Sequence, residues 1–231
     1  FIPLLYALGW LAAVPLTLLG LPAHQVSLVG TVLSFVLFLL VMPRWAALRW
    51  SEHQPWRRLG LVDRNPVNRI PHVTSLIIGL LMSVALITLI VGLLVFTGHG
   101  IWQGSLTINA VLNCLLLALG VGLAEELIFR AWLWEELTLI IGATGGMLVQ
   151  AALFSLVHTR FNLGILPMLG LLTGLFLLGL VLALLRYRNH GSLWGSIGLH
   201  GGLVGAWFLV HQNLLIITPS APNWLVGPGG S

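Results

Sequence analysis

The chain has 231 residues, of which 58% are hydrophobic and only 7% charged, and its mean hydropathy is +1.02. A soluble domain carries about 25% charged residues, so this composition excludes a soluble globular protein and points to one integral membrane bundle, with no room for a second large soluble domain. The basic residues are all arginine, and six of them fall between Arg44 and Arg69, a clustering beside apolar runs that reads as a membrane-surface loop and not as a nucleic-acid face.

The chain opens on Phe1-Ile2-Pro3-Leu4-Leu5, with neither a Met nor a basic n-region, which reads as a trimmed start. Apolar runs then lie near 2–21, 26–43, 75–97, 106–137, 139–158, 163–185 and 193–217. Most can cross a hydrocarbon core of about 30 Å, which needs roughly 20 helical residues. The pattern predicts an all-α, polytopic transmembrane helix bundle of about seven spans, or eight if the last run divides after His211, where Gln212 and Asn213 interrupt it. No internal repeat is evident, which argues against an inverted-repeat transporter.

Between the second and third runs, residues 44–64 hold Trp45, Trp50 and Trp56 among the arginines. Tryptophan suits headgroup depth and arginine pairs with anionic lipid, so an interfacial amphipathic segment is expected here, with a disordered basic linker as the alternative. The positive-inside rule puts the loop 44–74 in the cytoplasm. Counting spans then places Arg186 and Arg188 on the same side and Arg160 on the other. Three regions follow: N-terminal helices with their basic loop (1–105), a core (106–218) and a Pro/Gly-rich flexible tail (219–231). The one cysteine, Cys114, excludes an intramolecular disulfide and reads as a small core residue.

The fourth run is overlong and is expected to protrude through Trp132, Trp134, Glu135 and Glu136. It also carries the most informative stretch, Ala124-Glu125-Glu126-Leu127-Ile128-Phe129-Arg130. An ionisable residue in the hydrocarbon region costs roughly 2.5–3.5 kcal/mol on insertion scales, so three in six residues must face a polar cavity or one another. Glu126 and Arg130 are four apart, share a helix face and can pair, which leaves Glu125, about 100° around the helix, unpaired. A buried, unpaired carboxylate resists ionisation, which is one way an enzyme obtains an acid or base for use near neutrality. Structural hydrogen bonds between helices are the plainer reading.

Two further polar sites bear on that choice. Phe154 and His158 share a face at the end of the fifth run, and His200 stands in the seventh within Gly198-Leu199-His200-Gly201-Gly202. Each histidine alone would read as a helix-bridging residue; two of them and a double glutamate on three spans can converge. Gly198 and Gly202, Gly201 and Gly205, and Gly170 and Gly174 are each spaced by four, so these faces allow close helix approach. Ordinary packing explains such spacing equally well.

The order Glu125-Glu126-x-x-x-Arg130, then Phe154-x-x-x-His158, then His200 resembles the CAAX prenyl protease and bacteriocin-processing (CPBP, or Abi) family of intramembrane glutamic endopeptidases, over roughly residues 106–211. The resemblance implies that Glu125 and His158 activate a water for attack on a peptide carbonyl. It implies that Glu126 and Arg130 support them and that His200 stabilises the oxyanion. It also implies a membrane-associated or lipidated substrate, membrane lipids as surroundings, and no cofactor. Four residues after this histidine the family usually has Asn; here Val204 stands, which cannot donate, and losing one oxyanion donor costs roughly 10²–10³ in kcat. Asn113 and Gln150 are polar residues in nearby spans. Ala131 replaces a frequent Gly.

One glutamate and two histidines also match a catalytic zinc set, but there is no His-Glu-x-x-His on one helix, and the resemblance points to a metal-independent reaction. The rival of another class is a non-catalytic membrane scaffold or assembly factor that binds other integral membrane proteins, for which Val204 is the sequence argument. Buried carboxylates also mark proton relays, which leaves a transporter as a third reading.

Overall fold

Long apolar runs cannot leave backbone N–H and C=O groups unpaired in lipid, and the helix satisfies them within one segment. The computed structural model, which describes residues 1–62 and 71–222, is accordingly an all-α bundle. Among the described residues, five helices are long and apolar enough to cross a membrane: Ile2–Leu19, Ala23–Trp50, His72–Phe96, Ile108–Leu156 and Ile165–Arg188. Contacts divide the chain into two units, Phe1–Arg58 and Leu59–Ser231.

In the first unit, α1 (Ile2–Ala13) continues as a 3-10 turn to Leu19 and packs on α2 (Ala23–Trp50). A Cβ on Gly9 would strike the Gly30–Ser34 backbone of α2, and Ser34 Oγ donates to Gly30 O at 2.7 Å and to Tyr6 O at 3.3 Å. Every fourth residue of α2 from Val26 to Trp50 is buried. Because Ala46 and Trp50 keep that stripe going, the helix runs on past Pro43 and absorbs Arg44, Trp45 and Arg49. The first part of the expected interfacial segment is therefore the end of α2. A single turn follows, α3 (Pro55–Arg58), with the Arg58 guanidinium 5.3 Å over the Trp50 ring. Arg64 and Arg69 of the basic loop lie outside the described residues, as does the expected tail from residue 223 on.

The second unit is arranged around α8 (Trp194–Leu209), a 16-residue helix with glycine on two faces. Gly198 and Gly202 lie against Leu76 and Ser83 of α4 (His72–Phe96), and Gly79 returns the contact against Gly195 and Leu199. Gly201 and Gly205 lie against Ala118 and Cys114 of α5 (Ile108–Glu125), where a Cβ on Gly205 would sit 2.7 Å from Cys114 O. The four-residue glycine spacings of this run thus bring two helix backbones together across α8. Gly170 and Gly174 on α7 (Ile165–Arg188) do not act this way, since a Cβ on either meets nothing within 4 Å. Outward-facing Ile77, Leu81 and Val84 of α4 are exposed, as expected of a surface meant for lipid.

The fourth and fifth runs form one block, Ile108–Leu156, broken at Gly142, whose φ of 77° and ψ of 168° are closed to a helix and favour glycine. After it the chain doubles back. The Trp134 indole donates to Ala143 O at 2.9 Å, and the Phe129 and Phe154 rings meet edge to face at 5.3 Å. Trp134 is buried in this hairpin, so the end of the fourth run is folded in, not protruding. Residues 143–156 span roughly 21 Å at 1.5 Å per residue, short of a hydrocarbon thickness of about 30 Å. The last run ends in a π-helical turn (Val210–Leu214) and β2 (Leu215–Ile217), in place of a further span after His211. That strand pairs antiparallel with β1 (Gly100–Trp102), Ile101 opposite Ile216, a two-stranded clasp that hydropathy alone did not reveal.

Gly201→Ala is expected to lower stability by about 1–3 kcal/mol, since an added methyl must push α8 off Ala118. Gly170→Ala, with open space around it, is expected to be neutral or to stabilise by about 0.5–1 kcal/mol. Thermal unfolding of the two variants in the same detergent checks the contrast.

Candidate functional site

Glu125 is the last α-helical residue of α5, and the chain then widens into a π-helix, Glu126–Leu133, before α6 (Trp134–Leu156) begins. Such wide turns are uncommon and recur at functional sites. Here both ends of the Glu126–Arg130 pair are turned fully inward, and each side chain is 0% exposed. Arg130 Nη1 lies 2.9 Å from Glu126 Oε1, a close ion pair in which hydrogen-bond alignment is poor. The guanidinium is also held flat against an aromatic face, 3.9 Å from the centre of the Phe154 ring.

The same Glu126 Oε1 accepts from His200 Nδ1 at 2.8 Å. A carboxylate accepts and cannot donate, so the proton of this bond sits on Nδ1. His158, at the end of α6, has Nδ1 2.7 Å from Phe154 O, and a carbonyl likewise requires the proton on Nδ1. The two imidazoles therefore turn the opposite nitrogen, Nε2, inward. Both Nε2 atoms lie 3.7 Å from one atom, Glu125 Oε2. That oxygen and Glu126 Oε2 are buried without a hydrogen-bond partner among the described residues, while the Glu125 side chain as a whole is 28% exposed.

The exposed part of Glu125 opens into a cavity of about 390 Å³. Glu125, His158 and His200 supply its polar lining, and Val121, Leu178, Leu203 and Val204 give it apolar walls. The five residues singled out in the sequence, Glu125, Glu126, Arg130, His158 and His200, are all brought together. Asn113 and Gln150 do not join them. Asn113 is exposed on α5, and Gln150 is buried with its amide nitrogen at Met147 O (3.1 Å) and Gly179 O (3.4 Å). Val204 does line the cavity, so the missing donor is missing at the site itself. Among the described residues, no group of three or more His, Cys, Asp or Glu side chains is arranged to hold a metal ion.

Two residues escaped sequence reasoning. Phe154 was recognised only as part of a spacing, yet its ring also packs 4.8 Å from His158 and edge-on to His200 at 5.6 Å, which makes it the floor on which both imidazoles and Arg130 rest. Arg186, which the span count places with Arg188 beside the loop 44–74, is buried, 5% exposed, and no signal in the sequence marks that burial.

Comparison with known families places this geometry in context. Residues 107–205 match the sequence profile of the family described as type II CAAX prenyl endopeptidase, Rce1-like, in agreement with the resemblance to the CPBP proteases. Residues 1–54 match a domain of unknown function, DUF8676. No curated protein and no solved structure gives a significant match. The several long apolar helices, together with this profile match, make the chain an integral membrane protein.

Because Glu126 and Arg130 are both fully buried, removing one charge strands the other. Glu126→Gln is expected to destabilise by about 3–5 kcal/mol, and Glu125→Gln by much less, since Glu125 reaches the cavity. Unfolding midpoints of both variants in detergent, against the unchanged protein, are the measurement.

Proposed function

We propose that the chain is an intramembrane endopeptidase, hydrolysing a peptide bond of a membrane-associated or lipidated substrate with a glutamate-activated water. The observation that carries this reading is the pair of imidazole Nε2 atoms, one from the turn just after α6 and one from α8, that lie 3.7 Å from the same Glu125 oxygen beside an apolar cavity. In the mechanism, a water bound between Glu125 Oε2 and His158 Nε2 attacks the scissile carbonyl, and Glu125 takes its proton as general base. The attack turns the carbonyl carbon tetrahedral and its oxygen into an oxyanion. His200, with Nδ1–H already committed to Glu126, can donate to that oxyanion from Nε2 only as the imidazolium. Collapse of the intermediate expels the amine, which takes up a proton from the acid form of Glu125. Arg130 and Phe154 hold Glu126 and the two rings in place.

The residues of this chemistry come from the region 106–218, and α4, from the region before it, packs against the helix that bears His200. The loop 44–74 is assigned to the cytoplasm on its arginine content. Arg188, exposed at the end of α7, supports that assignment; Arg186 does not bear on it, since it is buried. The partners in this reading are membrane lipids and the substrate.

A prenylated CAAX peptide presented to the purified full chain in liposomes tests the reading. Cleavage is expected, and Glu125→Gln, nearly the same shape but unable to act as a base, is expected to reduce kcat by roughly 10²–10⁴-fold. Val204→Asn restores a side-chain donor beside His200 and is expected to raise kcat. Cleavage that survives Glu125→Gln undiminished would overturn the assignment.

One observation favours a second reading. Val204 faces the cavity where a donor would be needed, which suits a scaffold that binds other membrane proteins without cutting them. Full rescue of a deletion strain by Glu125→Gln would decide for the scaffold, and accumulation of an uncut precursor would decide for the protease.

A further inference from the structure

We infer that Arg186 of α7 is a positioning residue that sets His200 against the double glutamate, an inference that rests on the proposed use of that site. Its guanidinium is shared among three segments. One nitrogen, Nη1, donates to the backbone oxygen of Arg130 in the π-helix. Nε donates to Gly191 O, 3.3 Å away in the turn that leads into α8. Nη2 lies 3.4 Å from Glu135 Oε1 at the start of α6, and the charge sits 5.5 Å over the Trp134 ring.

These anchors lie where the site is most easily lost. The π-helix decides where Glu126 and Arg130 point, because its wider turn changes the angle between successive side chains. The Gly191 turn, with φ +89° at that glycine, decides where α8 begins, and His200 stands less than two turns further on. A rigid planar fork with five N–H donors can hold several acceptors in fixed relation, which a lysine ammonium cannot do. From Arg186 the contacts run through the Arg130 backbone to its guanidinium, then to Glu126 Oε1 and His200 Nδ1, and His200 Nε2 faces Glu125. Arg186 touches none of the reacting atoms. It fixes the two helix segments that carry them, and the Glu135 carboxylate balances its charge.

Arg186→Lys keeps the charge and the pairing with Glu135 but cannot reach Arg130 O and Gly191 O together. The full chain is reconstituted in nanodiscs with ¹⁵N-labelled histidine, and the His200 ring resonances are assigned by their loss in His200→Ala. In Arg186→Lys the His200 Nδ1 resonance is expected to move toward that of a ring without a carboxylate partner. On the prenylated CAAX peptide, kcat is expected to fall roughly 10–100-fold with KM unchanged, in line with the cost of displacing a reacting group by about 1 Å. If Arg186→Lys fails to fold, Glu135→Gln replaces it; this loosens the third anchor and is expected to shift the same resonance in the same direction by a smaller amount. A His200 resonance that stays at its original position in the folded variant overturns the inference, even where the unfolding midpoint drops, since a structural brace alone would lower stability and leave His200 bonded to Glu126. The resonance is read without substrate, so failure of the wild-type chain to cut the peptide counts against the protease reading alone.

Discussion

The interaction on which the site depends is the bond of one carboxylate oxygen, Glu126 Oε1, to both Arg130 and His200. A charge buried in a membrane bundle is tolerated only when it is paired and its partner is held in place. Glu126 meets that condition twice over, with a guanidinium four residues along its own helix and an imidazole from another. The consequence is geometric as much as electrostatic. Once Glu126 has fixed the Nδ1 proton of His200, the opposite nitrogen must face Glu125, and the less buried carboxylate acquires its neighbour from the more buried one.

That bond needs α8 to come very near α5, which ordinary side chains would prevent. Glycine removes the obstacle on two faces of the same helix, at 201 and 205 toward α5 and at 198 and 202 toward α4. Without water inside a bilayer to drive association, such contact between backbones supplies dispersion energy that larger residues would keep apart. At 16 residues, α8 is shorter than each of the five helices counted as spans. Burial by its neighbours explains how it can remain there, and it is the helix that brings His200 to the site.

Much of this was legible in the sequence because the cost of charge in an apolar chain is so high. Glu125, Glu126 and Arg130 stood out for that reason alone, and the glycine spacings around His200 indicated that its helix could approach others closely, without showing that the partners would be α4 and α5. The rest depended on features that hydropathy does not encode. A π-helix and an α-helix have the same composition, so the turn at Glu126–Leu133 was invisible. Gly142 lay inside the fifth apolar run, 139–158, and gave no sign of the break there. Arg186 was misread because an arginine after a long apolar run is normally a surface charge; its burial comes from three acceptors, two of them backbone oxygens, that exist only once the chain has folded. Gly170 and Gly174 carried the same spacing as the α8 glycines without the same use, which shows that spacing indicates capacity for contact and not contact itself.

The packing of α8 also bounds what its remaining surface can do. Gly198 and Gly202 are committed to α4, Gly201 and Gly205 to α5, and Ser196 Oγ donates to Leu182 O of α7. What is left to face the cavity is the stripe His200, Leu203, Val204 and Trp207. A second side-chain donor from α8 must come from this stripe, because every other face has a neighbour pressed against it. Leu203 and Val204 have no N–H or O–H, and Trp207, about two turns beyond His200, has one. In the proposed mechanism the stabilisation of an oxyanion would therefore be decided by very few positions, and Val204 counts for so much because the helix that bears it has almost no free surface to spare.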